Sequence, residues 1–159
     1  MWSRSRRAWP RWSNCKKSIE IARVKVPIIS IIIGEGGSGG AIALACGDKV
    51  WALENSVYSI LSPEGFASIL LKDSSKAKEV AEIMGITSYD LLNKGIIEKI
   101  ITGPSGGAQN DIKSVVKELK SSLIVEINNL KSLDINDLLE KDIIDIENFL
   151  IKYIFKEAS

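Results

Sequence analysis

Histidine is absent from these 159 residues, and much chemistry goes with it. No Ser-His-Asp triad can be completed within the chain, and no zinc site can use imidazole. Any proton transfer falls to carboxylates, Lys, Tyr, the substrate or a partner chain. Cysteine is scarce: Cys15 and Cys46 make neither a disulfide framework nor a metal site, so no metal is expected in this chain. They read as buried or inert thiols of a reducing compartment. No apolar run reaches the ~20 residues that a membrane-spanning helix needs. The net charge is only +1, so no overall field argues for a membrane surface or nucleic acid.

What is present suits one globular domain with a real core, at 45% hydrophobic residues. The first 17 residues stand apart. They hold Trp2, Trp9 and Trp12, six basic residues from Arg4 to Lys17, and no acid. Such a segment suits a nucleic-acid-binding or anion-binding arm, an organelle transit peptide, or a stretch foreign to the fold; we take it as foreign. No apolar core of a secretory signal follows it.

From residue 18 the pattern is globular. Residues 18 to 24 read as the end of a helix. Residues 27 to 33 form a near-continuous β-branched run, as expected of a strand buried on both faces. Strands are also expected over 49 to 54, 57 to 61 and 96 to 101. Ser62-Pro63-Glu64 is a helix start with Ser as cap, Pro in the first position and an acid in the first turn, giving a helix to about residue 72. Further helices are expected over 76 to 84, stopped by Gly85, and 87 to 93, with Thr87 as cap and Gly95 beyond its end. Apolar residues at helical spacing (Ile112, Val115, Val116, Leu119, Leu123, Ile127, Leu130) predict a long helix over 111 to 130. A second amphipathic helix is expected over 135 to 155. Strands joined by short helices give an α/β domain with a parallel core.

The most informative stretch is Gly34-Glu35-Gly36-Gly37-Ser38-Gly39-Gly40. It lies between the apolar run and a small-residue run, Ala41-Ile42-Ala43-Leu44-Ala45, so it reads as strand, glycine turn, helix start. Ser38 or Gly39 is the expected cap of that helix. Gly34, Gly36 and Gly39 fit a dinucleotide fingerprint, with Glu54 where a ribose-binding acid would stand, but the following helix is short for that fold. Gly36-x-Ser38-x-Gly40 fits a nucleophile elbow, which the missing histidine opposes. A phosphate loop fails for want of Gly-Lys-Ser/Thr. Two readings remain: an anion hole of backbone N–H groups, or a turn that merely lets a helix pack close to a strand.

The motif order resembles one family. Val26-Pro27-Ile28-Ile29, the glycine loop with Ala41, Gly47-Asp48-Lys49-Val50, Leu53-Glu54-Asn55, Tyr58-Ser59, Ser62-Pro63-Glu64-Gly65, Lys72-Asp73, Lys76-Ala77, Asp90-Leu91-Leu92 and Gly106-Gly107-Ala108 are similar to the α subunit of acetyl-CoA carboxylase carboxyltransferase. The resemblance covers residues 18 to 110, with 111 to 159 as a C-terminal helical extension. It implies a crotonase-like (ClpP/crotonase) spiral of ββα units. It implies transfer of a carboxyl group from carboxybiotin to acetyl-CoA, giving malonyl-CoA for fatty acid biosynthesis. The implied partners are a carboxyltransferase β subunit, which holds the CoA thioester and a zinc ribbon, in an α/β heterotetramer. A biotin carboxyl carrier protein and biotin carboxylase complete the implied ATP-dependent complex, in the cytoplasm or a plastid. Carried over to this sequence, the N–H groups of Gly36 and Gly37 become the oxyanion hole for the biotin ureido oxygen, and Gly34, Ser38, Gly39 and Gly40 line the substrate site. Biotin's own nitrogen can act as base, so no histidine is required.

Departures are specific. The family's α subunits are longer, and their N-terminal half has no counterpart in this sequence. The family's Gly-Gly-Ala-His is Gly106-Gly107-Ala108-Gln109, and Leu71 stands where the family usually has tryptophan. Glu64 is read as a first-turn acid complementing the helix dipole. Glu35 is not taken as a base. Alternatives are a CoA hydratase or isomerase of the same fold, with Glu64 catalytic, and an inactive module that binds partners through its C-terminal helices.

Overall fold

The structure, a computed structural model, describes residue 21 and residues 24 to 134. The expected helix over 135 to 155 and the basic Trp-rich segment lie outside the described residues, as does most of the expected helix over 18 to 24.

Two strand-strand-helix units follow one another. The first is β1 (Ile29–Ile32), β2 (Glu35–Gly37) and α1 (Ser38–Leu44). The second is β3 (Lys49–Leu53), β4 (Val57–Ser59) and α2 (Pro63–Phe66), which runs on as a π-helical turn over Ala67–Leu71. After α3 (Ala77–Met84) and α4 (Ser88–Asn93) come β5 (Lys99–Ile101) and the long α5 (Ile112–Lys131). The first strands of the units and β5 make one parallel sheet, in the order β1-β3-β5; the second strands make another, β2-β4, also parallel. This is the ββα arrangement that the resemblance implies.

Alternation explains how the three-stranded sheet is buried. Ile32, Val50 and Ala52 point to the main core, with Ala41, Ala45, Tyr58, Leu91, Ile96 and Ile97. Ala41 and Ala52 are wholly buried in this core. Trp51 and Ile101 point the other way and pack with Val115, Leu119 and Leu123 of α5. Part of the amphipathic stripe of α5, Val115, Leu119 and Leu123, therefore covers the second face of the sheet, while Ile112 and Val116 of the expected stripe stay exposed. The Lys99 ammonium stays on this side, 5.3 Å from the Trp51 ring centroid and 2.5 Å from the Ser122 hydroxyl.

The expected strand over 27 to 33 is shorter and less buried than its composition suggests. β1 is an edge strand among the described residues, and Ile33 beyond it is 76% exposed. Entry to β1 is fixed by the buried Asp48 carboxylate, which accepts from the Ile28 N–H at 2.6 Å. The expected helix stops hold: Gly85 and Gly95 take positive φ at helix ends, and Lys72 closes the π-helical turn in the left-handed region. Cys46 is buried and forms no disulfide. No helix among the described residues is long and apolar enough to cross a membrane.

Candidate functional site: a cleft floored by the glycine loop

The glycine loop is more regular than a turn. Glu35, Gly36 and Gly37 are a strand, in register with Val57, Tyr58 and Ser59. A strand presents successive residues to opposite faces, and here the two glycines do different jobs. Gly36 faces the core. A Cβ on it would lie 2.8 Å from Cδ2 of Tyr58 and 3.4 Å from Leu44. Tyr58 cannot retreat, since its ring is buried and its hydroxyl donates to the Ala41 carbonyl at 2.6 Å. Close packing therefore explains Gly36. It does not explain Gly37, which faces outward with φ −132° and ψ 158°. A Cβ there would meet nothing nearer than 3.7 Å, and at Gly34 and Gly40 nothing lies within 4 Å. None of the loop's glycines has positive φ. The fold itself thus asks for no glycine at 34, 37 or 40.

Gly37 floors a cleft of about 590 Å³. One wall is Glu35, Gly36, Gly37 and Ser38; the other is Val57, Ser59, Leu61, Ser62, Pro63, Glu64 and Ile86. The structure thereby brings the glycine loop together with the Ser-Pro-Glu helix start, a juxtaposition that sequence reasoning did not foresee. The signal was the alternation of Val57, Ser59 and Leu61 toward one face. Ser62 caps α2 as expected, accepting from the Gly65 N–H at 3.1 Å. Gly39 and Gly40 follow Ser38 in the first turn of α1.

The amides divide in the same way. The Val57 N–H donates to the Gly34 carbonyl at 2.8 Å. With the observed register, parallel-ladder geometry then sends the Gly36 N–H to the Val57 carbonyl and the Ser38 N–H toward the Ser59 carbonyl. The Gly37 N–H points away from β4. Ser38 does not cap α1: the N-cap is Gly37, and no side chain bonds the first turn. The expected Ser38 cap fails because its hydroxyl accepts from no first-turn amide, and its backbone stands in the left-handed region at φ 56°.

Glu54 stands elsewhere, in a second cleft of about 480 Å³ with Ile33, Gly103, Gly106, Gly107 and Gln109. Its carboxylate accepts from the Tyr89 hydroxyl at 2.8 Å and from the Gly103 N–H at 3.3 Å. With Glu54 engaged by the chain itself and α1 only seven residues long, the dinucleotide fingerprint has no support. The nucleophile elbow also gains no support, since no Lys or Arg among the described residues lines the glycine cleft. Gln109, in the family's histidine position, turns back and donates to the Gly106 carbonyl at 2.8 Å.

The Tyr89 hydrogen bond and then the Gly103 amide hold the Glu54 carboxyl below its ordinary range, while Glu54 raises the Tyr89 phenol. A carboxyl lowered on folding stabilises the fold above its unfolded pKa, and that stabilisation is lost as pH falls through the folded value. Tyr89→Phe is therefore expected to melt lower than the unaltered chain at neutral pH. The gap should close in acid, below the ordinary carboxylate range. Thermal melts across pH check this; a gap unchanged in acid would remove the Glu54–Tyr89 bond as its cause.

Comparison with known proteins places these features. The profile of a family described as "Acetyl co-enzyme A carboxylase carboxyltransferase-like" matches residues 13–148. The acetyl-coenzyme A carboxylase carboxyl transferase subunit alpha of Clostridium acetobutylicum is 60% identical over 125 residues, covering 79% of this chain and 46% of that protein. The carboxyl transferase subunits beta/alpha protein of Clostridium tetani is 56% identical over 126 residues, covering 79% of this chain and 22% of that one. Among solved structures, a transcarboxylase 12S core with methylmalonyl-coenzyme A and methylmalonic acid bound aligns with TM-score 0.49 and 17% identity, over 65% of this chain and 22% of that one. The chain spans about half the length of the α-subunit relative and a smaller share of the fused one.

Proposed function

Because the chain belongs to the acetyl-CoA carboxylase carboxyltransferase family, we propose that it is the carboxybiotin-binding part of a carboxyltransferase α subunit, acting in the conversion of acetyl-CoA to malonyl-CoA. The observation that carries this is Gly37. It is a glycine without internal need on the floor of an open cleft, so its missing side chain is space for something that enters. A flat ureido ring laid over Gly37 would take that space, which a valine side chain would fill.

Carboxybiotin would supply the carboxyl group and a basic ureido nitrogen. This chain's contribution is to seat the ring and hold charge. The Gly37 N–H, left free by the β2-β4 ladder, donates to the ureido oxygen where negative charge develops. One such fixed donor is typically worth about 3 kcal/mol of barrier. The Gly36 N–H, spent on Val57, keeps the strand straight beneath it. Gly34, Ser38, Gly39 and Gly40 line the approach. No side-chain base is needed, in keeping with a chain free of histidine.

The fused beta/alpha relative supports a β subunit as the partner that brings the CoA thioester. A biotin carboxyl carrier protein would deliver the biotin, with biotin carboxylase charging it, in the cytoplasm of a bacterium. The heterotetramer and the ATP-dependent complex belong to the same proposal. The competing interaction-module reading loses ground because Val115, Leu119 and Leu123 of α5 are spent on the chain's own sheet.

The test is the reverse reaction. The purified chain, mixed with a carboxyltransferase β subunit, malonyl-CoA and biotin, should release acetyl-CoA only when both chains are present. Glu64, which lines the same cleft, separates the hydratase reading. Glu64→Gln should leave carboxyl transfer within about twofold, whereas a hydratase that used Glu64 as its acid would lose about a hundredfold or more. Crotonyl-CoA hydration by the unaltered chain, abolished in Glu64→Gln, would replace the present reading.

A further inference from the structure

The second cleft takes no part in the proposed reaction, yet it lies where an α/β sheet offers a site. Ile33 follows β1, Leu53 and Glu54 end and follow β3, and Ile101 and Gly103 end and follow β5. The cleft thus stands at the carboxyl ends of all three strands of one parallel sheet. Crevices at such ends are where open α/β sheets bind their ligands. The walls are aliphatic: Ile33, Leu53, Ile101 and Val115. Against them stands one charge. The Glu54 carboxylate accepts from the Tyr89 hydroxyl on one oxygen and from the Gly103 N–H on the other, and both bonds favour its ionised form. It forms no ion pair among the described residues, and no Lys or Arg among them lines the cleft. A carboxylate accepts about four hydrogen bonds, so each Glu54 oxygen keeps a place for one more. Gln109 adds an acceptor, since its amide nitrogen is occupied by the Gly106 carbonyl and its amide oxygen is not.

The chemistry that fits is a cation on an aliphatic stem. We infer that this cleft receives an arginine side chain from a partner protein, its stem against Ile33 and Val115 and its guanidinium on Glu54. Arginine presents two parallel N–H groups that match a carboxylate with one place left on each oxygen, where lysine presents a point charge. The walls call for a protein and not a free guanidine. Ile33 is 76% exposed, and Ile112 and Val116, on the helix that supplies Val115, are 64% and 52% exposed. A small cation would leave these side chains in water. A protein surface would cover them, and an arginine ringed by apolar contacts is a common anchor of such surfaces. None of this depends on what occupies the glycine cleft.

The full chain is titrated with the capped peptide acetyl-Leu-Arg-Leu-amide, and with the same peptide carrying citrulline, which keeps the shape and drops the charge. Binding is read from amide resonances in nuclear magnetic resonance spectra. The arginine peptide should shift Glu54, Gly103 and Gln109 saturably and leave Gly37 unmoved. The citrulline peptide should bind about tenfold or more weakly, and Glu54→Gln should lose the same factor for the arginine peptide. Should that variant fold poorly, Ile33→Lys serves, because the position is exposed and the fold does not lean on it. Its like charge at the rim should weaken the arginine peptide by a similar factor and leave the citrulline peptide unaffected. Equal binding of the two peptides, or no binding at millimolar peptide, overturns the assignment. So does agmatine bound as tightly as the arginine peptide, which would make the cleft a site for a free guanidine.

Discussion

Gly37→Val should abolish carboxyl transfer, by at least a hundredfold in kcat, while the melting temperature moves by no more than a few degrees. The two halves of this expectation come from different observations. The fold tolerates the change: φ −132° and ψ 158° are strand values that valine prefers, and the nearest atom to a Cβ there is a Glu35 carboxylate oxygen at 3.7 Å, on a side chain that can move. The site does not tolerate it, since an isopropyl group would stand on the cleft floor between a ureido ring and the donor. Circular dichroism melts and the malonyl-CoA-to-biotin assay read the two halves separately. A folded variant with unaltered turnover would take Gly37 out of the site.

Gly36→Val, one residue away, should do the reverse and unfold the chain first. Its Cβ would start 2.8 Å from the Tyr58 ring. The ring is pinned by a buried hydrogen bond to Ala41, so strain must spread into α1 and β4. Overpacking of this kind costs about 3 kcal/mol, a fall in melting temperature on the order of 10 °C. Replacing Tyr58 by Ala in the same chain should make the Gly36→Val penalty much smaller, because the valine then enters vacated space. Denaturant titrations of the single and double variants measure this; additive losses would show that Gly36 and Tyr58 do not meet as described. Neighbouring glycines thus part cleanly, one kept for the core and one for the cleft.

That division shows what a sequence of this kind yields and what it withholds. The strands over 49 to 54 and 57 to 61, the Ser62 and Thr87 caps, the Gly85 and Gly95 stops and the long α5 were legible, because each rests on local chemistry: alternation, a side-chain oxygen at a helix start, a positive φ that glycine takes freely. The loop's importance was legible from its glycines. Its internal structure was not. Pairing of residues 35 to 37 with β4 is set some twenty residues along the chain, and nothing local signals it. Ser38 was read as a cap because serine before small helical residues suits that role; pairing of Gly37 with Ser59 and the left-handed backbone at Ser38 leave its hydroxyl without a first-turn amide. The half-buried state of β1 was hidden for a like reason: a β-branched run shows that a strand wants burial, not whether neighbours are there on both sides.

That last point bears on how the chain behaves in the test tube. Among the described residues β1 has a neighbour on one side only. The Lys49 N–H bonds the Ile28 carbonyl at 3.3 Å, and this fixes the parity of the ladder, so the amides of Ile29 and Ile31 point outward from the sheet. The strand carries no charge and no proline to blunt that edge. An aliphatic strand margin that no described strand covers is a template on which a second molecule can lay its own. At high concentration the isolated chain should therefore grow turbid below its melting temperature, whereas dilute samples should melt clear and reversibly.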